Sequence, residues 1–453
     1  MQLKDKQLGK RLALATGALL GGVQAQAGDD NWLVSSAVLV YSEADDRVQA
    51  VEPVLNLRRD FKDESSLNLR LVYDALTGSS PNGAMAANIA QTFTSASAAA
   101  RLANADAEEE EEYGDRGSYT IAPGDLPLDP SFEDNRTTLS VGWNKPLSSG
   151  YTLNLGGAYS SEGDFTSMSV NGAIARDFNN KATTVSVGLN LESDTSTPNG
   201  GVPVALSTYA QRSTAGSEDT KQVVDLMLGV TQVMNRRWLM QFNFGLSQSS
   251  GYQNDPYKIL TVADNGNLMT DPYDNENYLY LMESRPEDRQ KLSLFWQNKV
   301  AIGSDDAIDI GYRYMTDDWG VNSHTLDLGY HWSVMEHLYL EPHYRYYTQS
   351  AADFWMPFLA AGEDVTVTGS DVTALVDHAS SDPRLAAFSA NTLGLKVGVP
   401  LRKDEEISLR LEYYQQQDEN SLKDVAAGSN LDGQSQFAEL SASWIQLGYT
   451  FRW

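Results

Sequence analysis

Between Lys291 and Glu412 the chain spaces acids, bases and histidines in a way that could do chemistry. They are Lys291, Lys299, Asp309, Arg313, Asp327, His331, Glu341, His343, Arg345, Lys396, Arg410 and Glu412. Both signs are present, which argues against a selectivity ring of a single sign. Two readings stay open: a wall of mutually paired charges, or a constriction that sorts permeants by charge. Ser323 and His324, close to Asp317 and Asp318, suggest a nucleophile and its base. Adjacent residues on a strand point to opposite faces, however, which keeps this pair apart and makes a hydrolase only the third alternative.

Metal and cofactor chemistry finds little support. His324, His331, His337, His343 and His378 form no HExxH pattern, there is no phosphate-binding glycine loop, and there are no cysteines. No cofactor is therefore expected. Asn254, Asp255, Asp264, Asp271, Asp274 and Glu276 supply oxygen ligands that calcium uses, but their spacing is not that of an EF-hand. An ordinary polar loop accounts for them better than a calcium site does.

The N-terminus reads as a secretory signal. Lys4, Lys6, Lys10 and Arg11 make a basic head, Leu12 to Val23 an apolar stretch, and Ala25-Gln26-Ala27 a cleavage site. Cleavage after Ala27 removes four basic residues and one acid, taking the net charge from -28 to -31. That acidity excludes nucleic acid as a partner, because phosphates select Lys and Arg. No later stretch has the length and apolarity of a transmembrane helix.

The elements that would position these residues show a period of two. Leu67, Leu69, Leu71 and Tyr73 alternate with Asn68, Arg70 and Asp74; Val185, Val187, Leu189 and Leu191 alternate with Ser186, Gly188 and Asn190. Sixteen such segments are predicted: 32–42, 47–58, 65–76, 132–146, 151–162, 165–177, 182–192, 222–234, 238–250, 288–301, 306–316, 321–334, 338–350, 389–401, 405–417 and 436–453. Short turns fall near Asp60, Pro146, Asn179, Asn235, Ser304, Glu336 and Lys403. The long connections, 75–131, 193–221, 251–287, 351–388 and 418–435, all fall on the opposite side. This matches a transmembrane β-barrel with short periplasmic turns and long extracellular loops. The chain ends Leu447-Gly448-Tyr449-Thr450-Phe451-Arg452-Trp453, an alternating strand closing on an aromatic residue. The expected fold is thus all-β, one antiparallel barrel of about 16 strands over 28–453 in a Gram-negative outer membrane. A soluble sandwich is the competing fold.

Alternation directs Arg70, Asp225, Gln241, Asn243, Lys291, Lys299, Asp309, Arg313, Asp327, His331, Glu341, His343, Arg345, Lys396, Arg410 and Glu412 into the lumen. The connection 75–131 adds an acid run, Glu108 to Glu112 with Asp106, Asp115, Asp125 and Asp129, against Arg101 and Arg116. Its Ala84 to Ala105 portion suggests a short helix, and the segment either folds into the pore or stays outside as a solvated charge run. An acidic rim would attract cations and could bridge lipopolysaccharide phosphates through divalent ions.

Five stretches resemble an outer-membrane protein family catalogued as domain of unknown function number 3570: YDALTGSSPNGA at 73–84, SSGYQNDPYK at 249–258, ESRPEDR at 283–289, YRYMTDDWGVNSHT at 312–325 and HYRYYTQSAADFW at 343–355. The resemblance covers essentially the whole mature chain and carries over no activity. On the strand assignment all five meet the outer side. They bring Asp74, Tyr252, Asp255, Tyr257, Arg285, Arg289, Asp317, Trp319, His324, Tyr347, Asp353 and Trp355 toward one rim. An ordered collar anchoring the loops is one reading; interface aromatics and loop caps are the other. For function, the first expectation is a passive channel for small solutes or ions, bounded by outer-membrane lipid and lipopolysaccharide. The second is a scaffold or conduit docking another envelope component, such as a lipoprotein or redox protein.

Overall fold

The computed structural model describes residues 32–45, 47–94, 118–211, 213–275, 277–420 and 423–453. The expected signal segment and the acid run 106–115, with Arg101 and Arg116, lie outside them.

Sixteen strands form one closed antiparallel barrel. They are β1 (Trp32–Glu43), β2 (Gln49–Asp60), β3 (Ser66–Pro81), β4 (Leu128–Pro146), β5 (Tyr151–Ser161), β6 (Phe165–Phe178), β7 (Thr183–Ser196) and β8 (Asp219–Asn235). The circuit continues with β9 (Trp238–Gly251), β10 (Asp288–Ile302), β11 (Asp306–Asp317), β12 (Asn322–Met335), β13 (Leu338–Gln349), β14 (Phe388–Arg402), β15 (Glu405–Asp418) and β16 (Ser441–Arg452). Each pairs with the next, and β16 pairs with β1 from Leu33↔Arg452 to Glu43↔Ala442. Every predicted segment is a barrel strand. β3 and β4 run on to Pro81 and back to Leu128, so the first long connection is 82–127 rather than 75–131. The last strand starts at Ser441, not 436.

The alternation separates the two faces chemically. Outward positions form an exposed apolar belt; Leu155, Val170, Ile174, Val187 and Leu189 are between 43% and 61% exposed. Left in water, such a belt would forgo roughly 1.5–3 kcal/mol per large side chain, which marks it as lipid-facing. Small inward residues let larger neighbours cross the lumen wall. A Cβ at Gly398 would lie 2.0 Å from the Tyr339 ring, because that ring lies directly over the glycine.

The long loops pack into a folded cap. Ile259–Asp264 pairs with Tyr280–Met282 and Asn267–Leu268, and runs parallel to Phe358–Ala360. Leu260, Val262, Leu279, Leu281, Leu359, Val365 and Ala379 are completely buried there. A second cluster joins Met85, Ala87, Phe93, Ile259, Tyr280, Phe358 and Leu431 across four loops. The expected Ala-rich helix is absent over its described part. Residues 84–94 are extended or irregular, Gln91–Thr94 pairs with Ser118–Ile121, and Ala84 to Ala87 are buried against the cap sheet. Small side chains were suited here to close sheet packing, which outweighed alanine's helix propensity.

Gly398→Val should overpack the Tyr339 contact and destabilise the barrel by about 1–3 kcal/mol. Urea unfolding in detergent micelles reads this directly. Adding Tyr339→Ala should restore most of the loss, and an unchanged midpoint for the single variant would refute the contact.

Candidate functional site

Two polar zones sit inside this frame: the lumen wall and a vestibule beneath the cap. Most of the predicted lumen residues are cross-linked along β7 to β15. Asp309 accepts from Gln297 at 2.8 Å and pairs with Lys299 at 3.0 Å. His331 meets Glu341 at 2.8 Å, and Lys396 lies 3.8 Å from Glu341 and 3.4 Å from Glu406. His343 lies 3.3 Å from Asp327 and 3.4 Å from Glu412, which Arg410 also holds at 2.9 Å. Asp225 accepts from Asn190 at 3.0 Å, and Gln241 donates to Asn243 at 3.2 Å. Arg313 stacks over the Phe295 ring at 5.5 Å, while Arg70 and Arg345 are exposed to the lumen. Asp309, Arg313, Asp327, His331, Glu341 and Arg345, which alternation places on neighbouring strands β11 to β13, are therefore split among separate contacts rather than gathered into one constriction. Register explains this: Asp309 and Asp327 are staggered along neighbouring strands and find nearer partners.

The rim residues fall into two anchors. In the first, the Arg285 guanidinium lies between Glu283 at 2.7 Å and Asp382 at 2.8 Å, and Arg384 bridges Asp382 to Asp255 at 2.6 Å. Ser380 donates to Glu283 at 2.6 Å, Lys258 donates to the Pro81 carbonyl, and Ser381 donates to the Gly83 carbonyl at 2.7 Å. Loops 82–127, 252–287 and 350–387 are tied together at this point. The arginines beside Asp382 hold its carboxyl well below the usual carboxylate range although burial opposes this. Glu283, Lys258, Ser380, Asp382 and Arg384 escaped the sequence reading. Glu283 at least lay within the ESRPEDR stretch.

In the second anchor, Arg289 donates to Asp317 at 2.8 Å and covers the Trp319 ring at 4.3 Å. Asp317 also accepts the Val321 amide at 2.8 Å, and Trp319 packs edge-on to Phe354 at 5.1 Å. The Asp353 amide donates to the Trp319 carbonyl, Tyr347 stacks near Phe388 at 5.5 Å, and Trp355 packs against both clusters above β14.

His324 does not belong to the rim's interior. It shares the outward face with Leu326, and its Nδ1 lies 2.7 Å from the Tyr312 hydroxyl, whereas Ser323 is buried on the inward face. Nor do the loop acids converge on a cation. Asp255 is engaged by Arg384, Asp264 by Asn265, and Asp271 accepts the Tyr273 amide at 2.8 Å. Among the described residues no group of three metal-ligating side chains forms; Glu276 lies outside them.

Below the cap, mainly at the outer ends of β1 to β8 and reaching Phe388, Tyr414 and Gln416 on β14 and β15, lies a cavity of about 1080 Å³. Among the described residues ten carboxylates line it against five cations, and those cations are already engaged. Arg47 pairs with Glu43 at 3.2 Å and Lys221 with Asp194 at 2.8 Å, while Lys258, Arg285 and Arg384 serve the first anchor. Asp134, Glu162 and Asp164 are left facing the space, with Arg136 held mainly by Asp74 at 2.6 Å and only 3.6 Å from Glu162. The Tyr257 hydroxyl donates to Asp164, and Tyr252 lines the same wall. Burial, reinforced by the Asp134 carboxylate, pushes the Glu162 carboxyl up to about 7; Asp164 is also raised, chiefly by burial.

A family model described as "Protein of unknown function (DUF3570)" matches residues 9–451. No curated protein matches the chain. Among solved structures it is similar to Pseudomonas aeruginosa OccK2 in complex with glucuronate, at 9% identity and a TM-score of 0.38, covering 94% of this chain and 98% of that one. It is also similar to a mutant ferric enterobactin receptor from Pseudomonas aeruginosa, at 9% identity and a TM-score of 0.40, covering 90% and 57%. A bacterial polysaccharide outer membrane secretin matches at 8% identity and a TM-score of 0.40, covering 93% and 98%. The chain spans a little over half the length of the ferric enterobactin receptor.

Arg285→Ala would strand Glu283 and Asp382 without their guanidinium, at a cost on the order of 3–5 kcal/mol confined to the cap. Limited proteolysis should then cut loops 252–287 and 350–387 while the barrel keeps its folded gel mobility. A wild-type cleavage pattern would show that the anchor is dispensable.

Proposed function

The chain belongs to that family, and we propose that it is a passive outer-membrane channel that favours small cations. The supporting observation is the vestibule, where Asp134, Glu162 and Asp164 face the space while the five cations that line it among the described residues are already engaged. A concave acid surface with low-dielectric walls concentrates cations at its mouth and so raises their entry rate. Inward side chains such as Asn68, Arg70 and Arg345 are exposed among the described residues, as in a lumen that holds water. Under this reading a leader removed after Ala27 exports the chain, lipid covers the apolar belt, and lipopolysaccharide surrounds the outer loops. No energy source is required beyond the solute gradient.

Planar bilayers with a KCl gradient test it. The reversal potential should favour potassium, and the preference should rise as pH increases from about 6 to about 8, because Glu162 ionises over that interval. Glu162→Gln should remove most of this pH dependence and lower the cation-to-anion permeability ratio on the order of twofold. Electrically silent bilayers, or a preference for chloride, would reject the channel and favour a docking scaffold.

A further inference from the structure

The lumen wall differs between its two sides. On β4 to β7, from Thr138 to Asn144, Thr152 to Ser160, Ser167 to Ala175 and Thr184 to Asn190, no inward side chain is ionisable. Ser140, Gly156, Ala158, Ala173, Ser186 and Gly188 typify this arc. Contacts fix their direction: a Cβ on Gly188 would sit 3.4 Å from that of Ala173, and one on Gly156 would meet the Asn171 amide group. The facing arc, β11 to β15, carries the long side chains of Tyr339, Glu341, His343, Arg345, Lys396 and Arg410.

Two further observations share this asymmetry, and a third shows that solvent reaches the small-residue wall. The cap is packed down over the charged arc: Trp319 and Val321 meet Phe354 and Leu385, and Phe388 and Ala390 meet Phe437. The acidic vestibule instead lies mostly above β1 to β8, reaching the other arc only at Phe388, Tyr414 and Gln416, and its carboxylates Asp134, Glu162 and Asp164 all stand on the β4 to β7 side. Met227, inward beside Gly188, is 44% exposed, so solvent reaches the wall there.

Resting on the channel reading, we propose that the permeation path runs off the barrel axis, from the vestibule down the small-residue arc of β4 to β7. The paired charges of β11 to β15 are then a structural wall and not the filter. Glu341, His343, Lys396 and Arg410, held in ion pairs, project into their half of the lumen, whereas Gly, Ala and Ser leave room for a hydrated ion. Selectivity accordingly lies at the top of the path, with Asp134, Glu162 and Asp164.

The absence of cysteine in the chain makes the path directly testable. Single variants Ala158→Cys, Ala173→Cys and Gly329→Cys are treated with a cationic methanethiosulfonate during single-channel recording. Gly329 faces the lumen on the charged arc, opposite Asp309. The route requires conductance to fall by about half or more at Ala158→Cys and Ala173→Cys, and little at Gly329→Cys. Block at Gly329→Cys with silence at the other two overturns it, as does equal block at all three. Thiols at Ala158→Cys and Ala173→Cys that remain unmodified by mass also overturn it. Currents with the wrong pattern sink the route alone; no current from the unsubstituted protein removes the channel reading with it.

Discussion

A backbone amide in hydrocarbon has no water to turn to, and this constraint governs the molecule. Each unmet donor or acceptor would cost several kcal/mol, so a sheet that crosses lipid must have no open edge. Here the closing seam is β16 against β1, sealed at its end by reciprocal bonds between Trp32 and Trp453 of 2.6 and 2.7 Å. Closure then dictates the rest. Each strand must show apolar residues to lipid and polar or small ones inward, and connections must leave the bilayer on alternate sides.

The outer connections solve a different problem. Hairpins there are free of the lipid constraint, yet they carry the most deeply buried apolar residues of the chain, including Leu260, Leu279 and Leu281. Loops alone would lose conformational entropy without return. Pooling five of them into one cap lets a shared core offset that loss. The Arg285 anchor then ties cap loops to one another and the Arg289 anchor holds the loop tip at Trp319 on β10 and β11, with charge-assisted bonds whose acidic partners are nearly or fully buried. Such pairs add orientation more than net stability, since desolvation consumes much of the attraction. Their consequence is positional: the cap covers the β11 to β15 side and leaves the mouth mostly over β1 to β8.

Charge is partitioned accordingly. Where acids and bases neighbour one another on the lumen wall they neutralise one another locally, as Asp309 does with Lys299 across two strands and Glu412 with Arg410 along one. Where the loops bury carboxylates beside one another, burial first and the neighbouring Asp134 second raise the pKa of Glu162. Lumen and vestibule therefore differ in electrostatic character although both are lined by ionisable side chains.

The barrel itself was legible in the sequence. A period of two is a local property, each strand repeats it, and the sorting of short and long connections checks the count; all sixteen strands lie where alternation put them. His324 was legible too, since it shares parity with Leu326 and Trp332, but its place in a loop-end motif drew it toward the rim. The cap was not. Its strands are two to six residues long, and some partners, such as Thr261 with Phe358, lie almost a hundred residues apart. The Arg285–Asp382 pair spans the same distance. Alternation states which way a side chain faces and nothing about which distant loop will meet it, so the vestibule, its surplus acids and the covered side of the mouth were decided only by tertiary packing.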